Sequence, residues 1–221
     1  MSETYPVLAR ELRDLPQEIL DVAGPPVPMV DPPYRIRAAE PNGPDTAMIT
    51  AWMNQPHLAA AWEYDWPEER WYAHLRAQVD GTYSLPLIAE FNDTPIAYLE
   101  IYRTAKDQIA GTYDADPYDL GMHAAIAVTS MVNKGLGPRL LPQLIRSIFE
   151  LEPKCRRVVF EPDYRNAVMR RLSAFGGGVF LGEHYMRADR KVALYVVPRT
   201  PDDLPSFPLP EREPPIRPSA S

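Results

Sequence analysis

The stretch Val132-Asn133-Lys134-Gly135-Leu136-Gly137-Pro138 joins a strand-like run to a helix-like run. The first run extends from Asp119 to about Val128, and the second repeats apolar residues at helical spacing. Glycines let a ligand approach the backbone closely, and the free N–H groups of a helix's first turn favour a pyrophosphate. The stretch therefore predicts a strand, a phosphate-type turn and a helix, with an ordinary tight turn as the alternative. It matches neither a dinucleotide fingerprint nor a P-loop.

Further elements are predicted on both sides of this stretch. Upstream, residues 34–38 are strand-like, Asp45 is expected to cap a helix, and two more helices follow at residues 57–62 and from Pro67 to residue 79. Residues 85–91 and 96–102 form a predicted hairpin, followed by a long polar loop. Downstream, we expect a strand at 158–161, a helix at 165–175, and strands at 179–185 and 192–197. The chain thus alternates between strands and helices, as α/β domains do.

Proline marks the ends of the chain. The 26 prolines concentrate before residue 34 and after residue 197, where they disfavour helices and central strands. We therefore expect a proline-rich arm over residues 1–33 that begins with a short helix and lies over the domain. One domain is expected over residues 34–197, and a flexible proline-rich tail over 198–221.

Composition excludes several classes of function. Lys and Arg number 23 against 30 Asp and Glu, a net charge of −7, which disfavours a nucleic-acid partner. No apolar run is long enough to span a bilayer, and the amino terminus does not resemble a secretory signal, so a soluble cytoplasmic protein is expected. Cys155 is the single cysteine, and neither it nor the histidines show metal-ligand spacing, so we expect no metal.

The element order, with a Gly-x-Gly turn between the fourth strand and its helix, resembles the GNAT superfamily of acyl-CoA-dependent N-acyltransferases. The resemblance implies a GNAT-like α/β fold, with a central mixed sheet splayed between strands 4 and 5 and helices on both faces. It also implies that the glycine turn holds the pyrophosphate of coenzyme A. This sequence departs from the usual pattern at Val132, where Arg or Gln commonly stands.

Three motifs narrow the resemblance. They are Asp119-Leu120-Gly121-Met122-His123, the glycine turn, and Glu161-Pro162-Asp163-Tyr164-Arg165-Asn166. Together with Trp52-Met53-Asn54 and residues 57–62, they are similar to the siderophore lysine and hydroxylysine acyltransferases, and residues 26–197 especially resemble the mycobacterial mycobactin lysine N-acyltransferases. This implies transfer of an acyl group, often long, to the side-chain nitrogen of lysine or N6-hydroxylysine.

The resemblance also assigns roles to two ionisable residues. A lysine ammonium has a pKa near 10.4 and must lose a proton before it attacks a thioester. The family implies that Asp163 is the general base and that His123 contacts the amine and shares the proton. Taken alone, Asp163 fits a cap for the turn that begins at Arg165, and a single strand histidine is more often structural.

Other residues are predicted to bind the two substrates. The family resemblance implies that Asn133, Lys134, Gly135, Leu136, Gly137, Pro138 and Asn166 bind the donor, although Asn166 also fits helix initiation. His57, Trp62 and Trp66 fall where a cover over the acceptor would lie, with a plain packing cluster as the alternative.

The donor is expected to be a thioester of either coenzyme A or an acyl carrier protein, and the protein is expected to be a monomer. Backbone N–H groups near Ala125 and Ile126 are expected to receive the oxyanion, and Cys155 to be dispensable. The rival functions are an aminoglycoside or other small-amine acetyltransferase, and a non-catalytic acyl-CoA-binding protein.

Overall fold

A computed structural model describes residues 7–128 and 135–205 of the chain. The strands are β1 Tyr34–Ala38, β2 Ser84–Phe91, β3 Thr94–Arg103, β4 Leu120–Ile126, β5 Arg157–Phe160, β6 Val179–Arg187 and β7 Arg190–Pro198. The helices are α1 Gln17–Leu20, α2 Asp45–Met53, α3 Pro56–Trp62, α4 Glu68–Asp80, α5 Leu136–Leu151 and α6 Ala167–Phe175. Short 3-10 turns lie at Thr104–Lys106, Gln108–Thr112 and Pro201–Asp203.

One mixed sheet joins all of these strands in the order β1-β2-β3-β4-β5-β7-β6. Neighbouring strands are antiparallel except for β4 and β5, which are parallel. These two strands pair only at Leu120 with Val158 and at Gly121 with Val159. Beyond that point β4 continues without β5 as a partner, so the sheet opens there, as the sequence predicts.

Helices cover both faces of the sheet. On one face the apolar side of α5, including Leu140, Leu144 and Ile148, packs against the sheet in the largest apolar cluster. On the other face, Trp71 and Leu75 of α4 belong to an apolar cluster with residues of α2, α3 and the central strands. The predicted α/β layering is confirmed, and it leaves the opening between β4 and β5 at the centre of the molecule.

One local prediction is wrong. Asp45 does not cap α2, because Pro44 holds the cap position and the Asp45 carboxylate instead binds the Arg37 guanidinium and the Glu40 N–H. The polar loop predicted after β3 contains two 3-10 turns and is largely buried. Its Lys106 ammonium donates to the carbonyls of Leu20 and Val22, so the arm supplies partners that allow a charged side chain to be buried.

The arm before β1 packs against this buried loop. Leu8 and Val22 are buried, and the Leu12 N–H donates to the Lys106 carbonyl at 2.9 Å. The Gln108 N–H donates in turn to the Arg10 carbonyl at 3.1 Å. These bonds bring the first described residues of the chain to the face of the sheet that carries α4. In the described part of the chain, no helix has the length and apolarity needed to cross a membrane.

Candidate functional site

Three ionisable side chains form a row across the centre of the sheet. Glu100 of β3 pairs in register with His123 of β4. His123 lies two residues beyond Gly121, and Glu161 lies two residues beyond Val159, the residue that pairs with Gly121. Because strand side chains alternate between faces with a period of two, His123 and Glu161 extend from the same face of the sheet. They meet where β4 and β5 separate.

The His123 ring lies between the two carboxylates. Its Nδ1 is 3.2 Å from Oε2 of Glu100, and its Nε2 is 3.0 Å from Oε1 of Glu161. Burial by itself lowers the pKa of His123, but the hydrogen bonds to Glu100 and Glu161 outweigh it and raise that pKa. Burial by itself raises the pKa of both carboxyl groups. The hydrogen bonds of Glu100 with His123 and His74, and the charge of Arg10 beside Glu161, outweigh burial and bring both pKa values well below their usual range. The row therefore joins two carboxyl groups with lowered pKa values to an imidazole with a raised pKa.

Glu161 keeps one oxygen free of protein partners. Its Oε1 accepts hydrogen bonds from His123 and, at 2.8 Å, from the Tyr102 hydroxyl. Its Oε2 is buried and has no hydrogen-bond partner among the described residues. A buried carboxylate oxygen without a partner is costly and marks a position where a polar ligand or a proton fits.

Gly121 lets Tyr102 reach Glu161. The two residues pair across β3 and β4, and a Cβ atom at position 121 would lie 2.1 Å from Cζ of the Tyr102 ring. Any other residue at this position would collide with the ring. The glycine of the Asp-Leu-Gly-Met-His motif therefore makes room for the tyrosine that binds Glu161.

Arg10 of the arm enters the same site. Its Nη2 donates to Asp107 Oδ1 at 2.7 Å and to Glu161, and its Nε donates to Asp107 Oδ2 at 3.0 Å. Its Nη1 lies 3.3 Å from Nε2 of His123. The Asp107 carboxylate, which is fully buried, also accepts from the Tyr83 hydroxyl. A second acidic group thus stands beside Glu161, and both bind one cation.

Aromatic residues line the approach from α3 and α4. The Trp62 ring lies 5.8 Å from the His123 ring, while Trp66 stacks on Tyr64 at 4.1 Å and lies 5.3 Å from His74. His57 is exposed and lies five residues before Trp62 on α3, about 140° around the helix axis. The structure therefore brings Trp62 to His123 and Trp66 to the same cluster, whereas His57 faces another direction.

Asp163 has partners of its own outside the row. Its carboxylate accepts from the Arg165 backbone N–H at 2.9 Å and from the Arg165 guanidinium at 3.0 and 3.1 Å. The Arg165 hydrogen bonds lower the pKa of Asp163. These contacts fit the capping alternative. They do not connect Asp163 to His123, and its assignment as the base stays a prediction.

The glycine turn is partly described. Asn133 and Lys134 lie outside the described residues. Gly135, at φ 74°, precedes the first residue of α5, Leu136, and a Cβ atom there would have no neighbour within 4 Å. Gly137 instead packs closely, because a Cβ atom would lie 2.8 Å from Leu172 of α6. Thus no described residue beyond its chain neighbours lies close to the Cβ position of Gly135, whereas Gly137 allows α5 and α6 to approach.

Three further residues of the predicted donor site lie in the described part of the chain. Leu136 is buried, Pro138 is exposed, and Asn166 caps α6 by accepting from the Met169 N–H at 3.1 Å. The last contact is the helix-initiation role that the sequence left open for Asn166.

Cys155 lies apart from these groups as a buried free thiol. Burial raises its pKa to about 12, so it is a neutral thiol at neutral pH. Among residues 7–128 and 135–205, no group of three or more His, Cys, Asp or Glu residues is arranged to hold a metal ion.

Sequence reasoning missed Glu100, Glu161, Asp107 and Arg10. Glu161 stood in a quoted motif but was interpreted only as the end of a strand. His123 lies two residues after the paired part of β4, and Glu161 lies two residues after the paired part of β5. This equal offset was the signal that could have identified Glu161. Arg10 had no comparable signal, because its partner Glu161 is 151 residues away.

Comparisons with known proteins agree with this architecture. A family model described as an acetyltransferase (GNAT) domain matches residues 42–186. The chain is 55% identical over 190 residues to the lysine N-acyltransferase MbtK of Mycobacterium tuberculosis (strain ATCC 25618 / H37Rv), covering 86% of this chain and 89% of that protein. It is 52% identical over 200 residues to MbtK of Mycobacterium sp. (strain MCS), covering 90% and 81%.

A solved structure of the aminoglycoside acetyltransferase AAC(6')-Ib with coenzyme A has the same fold. It matches with a TM-score of 0.63 at 22% identity, covering 75% of this chain and 95% of that one. With the family match over residues 42–186 and the sheet opening between β4 and β5, these findings identify the chain as a member of the GNAT acetyltransferase family.

Proposed function

We propose that the chain is a lysine N-acyltransferase that moves an acyl group from a thioester to the side-chain nitrogen of lysine or N6-hydroxylysine. In this proposal the product is a building block of a mycobactin-type siderophore. The observation that carries the proposal is the row of Glu100, His123 and Glu161 at the opening between β4 and β5. The identity of 52–55% with proteins named lysine N-acyltransferase supports the same acceptor.

The row suits a cationic acceptor. A lysine ammonium is attracted to buried carboxylates and must give up a proton before its nitrogen becomes a nucleophile. Glu161 is the residue that we assign as proton acceptor, because its buried Oε2 has no hydrogen-bond partner among the described residues. The two ring nitrogens of His123 are within hydrogen-bond distance of Glu161 and Glu100, so the ring orients the carboxylates. The family assignment of Asp163 as the base is the competing proposal.

The neutral amine then attacks the thioester carbonyl. A C–N bond forms, the C–S bond breaks, and the thiolate leaves as a thiol with the proton that the attacking nitrogen loses. The proton taken earlier from the ammonium stays on Glu161 until solvent removes it. The negative charge that develops on the carbonyl oxygen needs N–H donors at the opening of the sheet.

Strand β4 supplies such donors. The Thr104 N–H donates to the Asp119 carbonyl, and the Ala127 N–H donates to the Ile96 carbonyl. Because backbone groups alternate sides along a strand, the odd-numbered residues of β4 bond to β3. The N–H groups of Ala124 and Ile126 therefore point toward the opening. We assign the oxyanion to these two groups, which replaces Ala125 of the sequence-based expectation by Ala124.

The donor is proposed to bind at the first turn of α5, with its phosphates near the N–H groups that follow Gly135. The residues Asn133, Lys134, Leu136, Gly137, Pro138 and Asn166 complete the predicted donor site. A thioester of coenzyme A and one of an acyl carrier protein share the same reacting group, and the proposal covers both.

A thiol-release assay tests the function. The acceptors are lysine, N6-hydroxylysine and an aminoglycoside, each offered with acetyl and long-chain donors, and the acylated nitrogen is identified by mass spectrometry. We expect acylation of lysine or hydroxylysine at the side-chain nitrogen. Transfer to the aminoglycoside alone would favour the small-amine acetyltransferase, and absence of transfer in a protein that binds acyl-CoA would favour the non-catalytic alternative.

A further inference from the structure

Arg10 stands where a cationic substrate would stand. Its Nη2 nitrogen donates at once to Asp107 and to Glu161, and its Nη1 nitrogen lies 3.3 Å from His123. A nitrogen at the Nη2 position is therefore in contact with the carboxylate that we assign as proton acceptor. It also lies beside the opening between β4 and β5, where the thioester is proposed to enter. An ammonium group has the charge and the hydrogen-bond donors that this position requires.

The balance of charge around Arg10 also indicates that this position suits a cationic group. Glu100, Asp107 and Glu161 are three buried carboxylates in one connected set of hydrogen bonds. Removal of the Arg10 guanidinium would leave Asp107 with the Tyr83 hydroxyl and the Ile109 N–H as partners. A buried carboxylate is stable when a cation is close to it. With Arg10 removed, the site therefore calls for one additional cation.

The arm that carries Arg10 does not fill all of the space between itself and the domain. The Arg10 side chain is 20% exposed. A cavity of about 20 Å³, room for about one water molecule, lies between arm residues Leu8 and Arg10 and domain residues Tyr64 and His74. Protein interiors are normally packed without such gaps. The contact between the arm and the domain is thus less tightly packed than the core.

We propose that Asp107 and Glu161 form the subsite for the acceptor's ammonium group, and that Arg10 fills this subsite as an internal cation until the acceptor displaces it. The inference rests on the proposed function for the identity of the acceptor. It assigns Asp107 a role in acceptor binding and assigns the arm an autoinhibitory role. The ligand class is a primary amine on an unbranched chain, because one nitrogen has to reach the position of Nη2.

Displacement of Arg10 also changes the cation beside Glu161. The charge of Arg10 is the main influence that lowers the Glu161 pKa against the effect of burial. An ammonium that displaces the guanidinium keeps a positive charge beside Glu161 until its proton moves to the carboxylate. The acceptor thus replaces Arg10 as the cation beside Glu161.

Replacement of Arg10 tests the proposal. The Arg10→Met variant removes the charge and keeps a long side chain, and Arg13→Met is the matched control, because Arg13 lies on the same arm with 72% of its side chain exposed. If Arg10 fills the subsite nine-tenths of the time, the apparent affinity for lysine is about tenfold weaker than it would be for the empty subsite. We expect the lysine KM to fall about tenfold or more in Arg10→Met and to stay unchanged in Arg13→Met. An unchanged or higher lysine KM in a folded Arg10→Met protein would overturn the proposal.

A chemical probe separates autoinhibition from a positioning role. The compound n-propylguanidine reproduces the Arg10 side chain. In the Arg10→Met variant we expect it to compete with lysine and to slow transfer. If it instead restored a lowered kcat, Arg10 would be a positioning residue for Glu161, and the proposal would be wrong.

A second variant leaves every charge in place. Leu8 is a buried residue of the arm, so Leu8→Ala should weaken the contact between the arm and the domain while Arg10 remains. We expect a lower lysine KM here as well, and a higher one would contradict the proposal. Calorimetry of lysine binding to the parent protein, Arg10→Met and Asp107→Asn measures the subsite without turnover. Tighter lysine binding in Arg10→Met and weaker lysine binding in Asp107→Asn would support the subsite even if no acyl transfer occurs. The proposed subsite can therefore be tested independently of the proposed acyltransferase function.

Discussion

Glu161 and Asp163 lie two residues apart after β5, and their surroundings give them different chemistry. Glu161 is buried against His123 with one oxygen unpartnered, whereas Asp163 is bound on both oxygens by Arg165. We expect Glu161→Gln to lower turnover by a factor of about 10² to 10⁴, because it deletes the basic oxygen. Asp163→Asn should lower turnover by less than about tenfold. Steady-state kinetics with melting temperatures as a folding control measure both.

The reverse ranking of the two variants would restore Asp163 as the base. Donor affinity, measured by calorimetry with acyl-CoA, should be unchanged in both proteins. A loss of donor affinity in Glu161→Gln would place Glu161 at the donor instead of the acceptor.

His123 makes stability depend on pH in a defined direction. Its pKa is raised above the ordinary 6.5, so its contribution to stability is complete below that pH and is lost as the pH rises through the raised value. The pKa values of Glu100 and Glu161 are lowered from 4.5, so their contribution is present above that pH and is lost as the pH falls through the lowered values. The free energy of unfolding should therefore be highest between these two limits.

Replacement of His123 should remove the alkaline part of this profile. In His123→Asn we expect a flatter free energy of unfolding above pH 6.5, measured by urea denaturation. His57→Asn is the control, because His57 is exposed, and it should keep the profile of the parent. If His123→Asn kept the same slope, the imidazolium between two carboxylates would not be the source.

The start of α5 uses its two glycines differently. Gly135 has a left-handed φ of 74°, and among the described residues none beyond its chain neighbours lies within 4 Å of its Cβ position, whereas a Cβ atom on Gly137 would meet Leu172. Asparagine tolerates the left-handed conformation, so Gly135→Asn mainly adds a side chain where the donor phosphates are proposed to lie. We expect weaker donor binding with little loss of stability, measured by calorimetry and thermal melting. Unchanged donor affinity would move the phosphate site elsewhere.

Gly137→Ala serves as the comparison for packing. Its Cβ atom would press on Leu172, so the melting temperature should fall, and Leu172→Ala in the same protein should recover part of the loss. The two glycines look equivalent in the sequence. Only the packing of α6 against α5 separates their roles.

Strands and helices were predictable from the sequence where a single local pattern, such as a turn between two strand-like runs, determines the structure. The strand-like runs of β2 and β3, with Asn92 and Asp93 at positive φ between them, form a hairpin at the predicted place. The loop after β3 was not predictable in the same way. Its polar residues indicate exposure, but Lys106 and Asp107 are buried because the arm supplies carbonyl oxygens and a guanidinium as partners.

At the scale of the whole molecule, the site depends on contacts between distant parts of the chain. The family resemblance led both to His123 and to the splayed sheet. Glu161 was within reach of a register argument, while Arg10 was not, because no sequence pattern links residue 10 to residues 107 and 161. The sequence therefore predicted only part of the site, and the residues that it missed carry most of the charge of the site.

The arm also fixes an order of events during synthesis. Arg10 leaves the ribosome 151 residues ahead of Glu161, its partner in the site. For most of translation the guanidinium exists without the complete pair of carboxylates that will hold it. The internal occupant is thus made first, and the place that it occupies is finished only after β5 has been added. Every newly made molecule consequently carries its own blocking group from the moment that its acceptor site is complete.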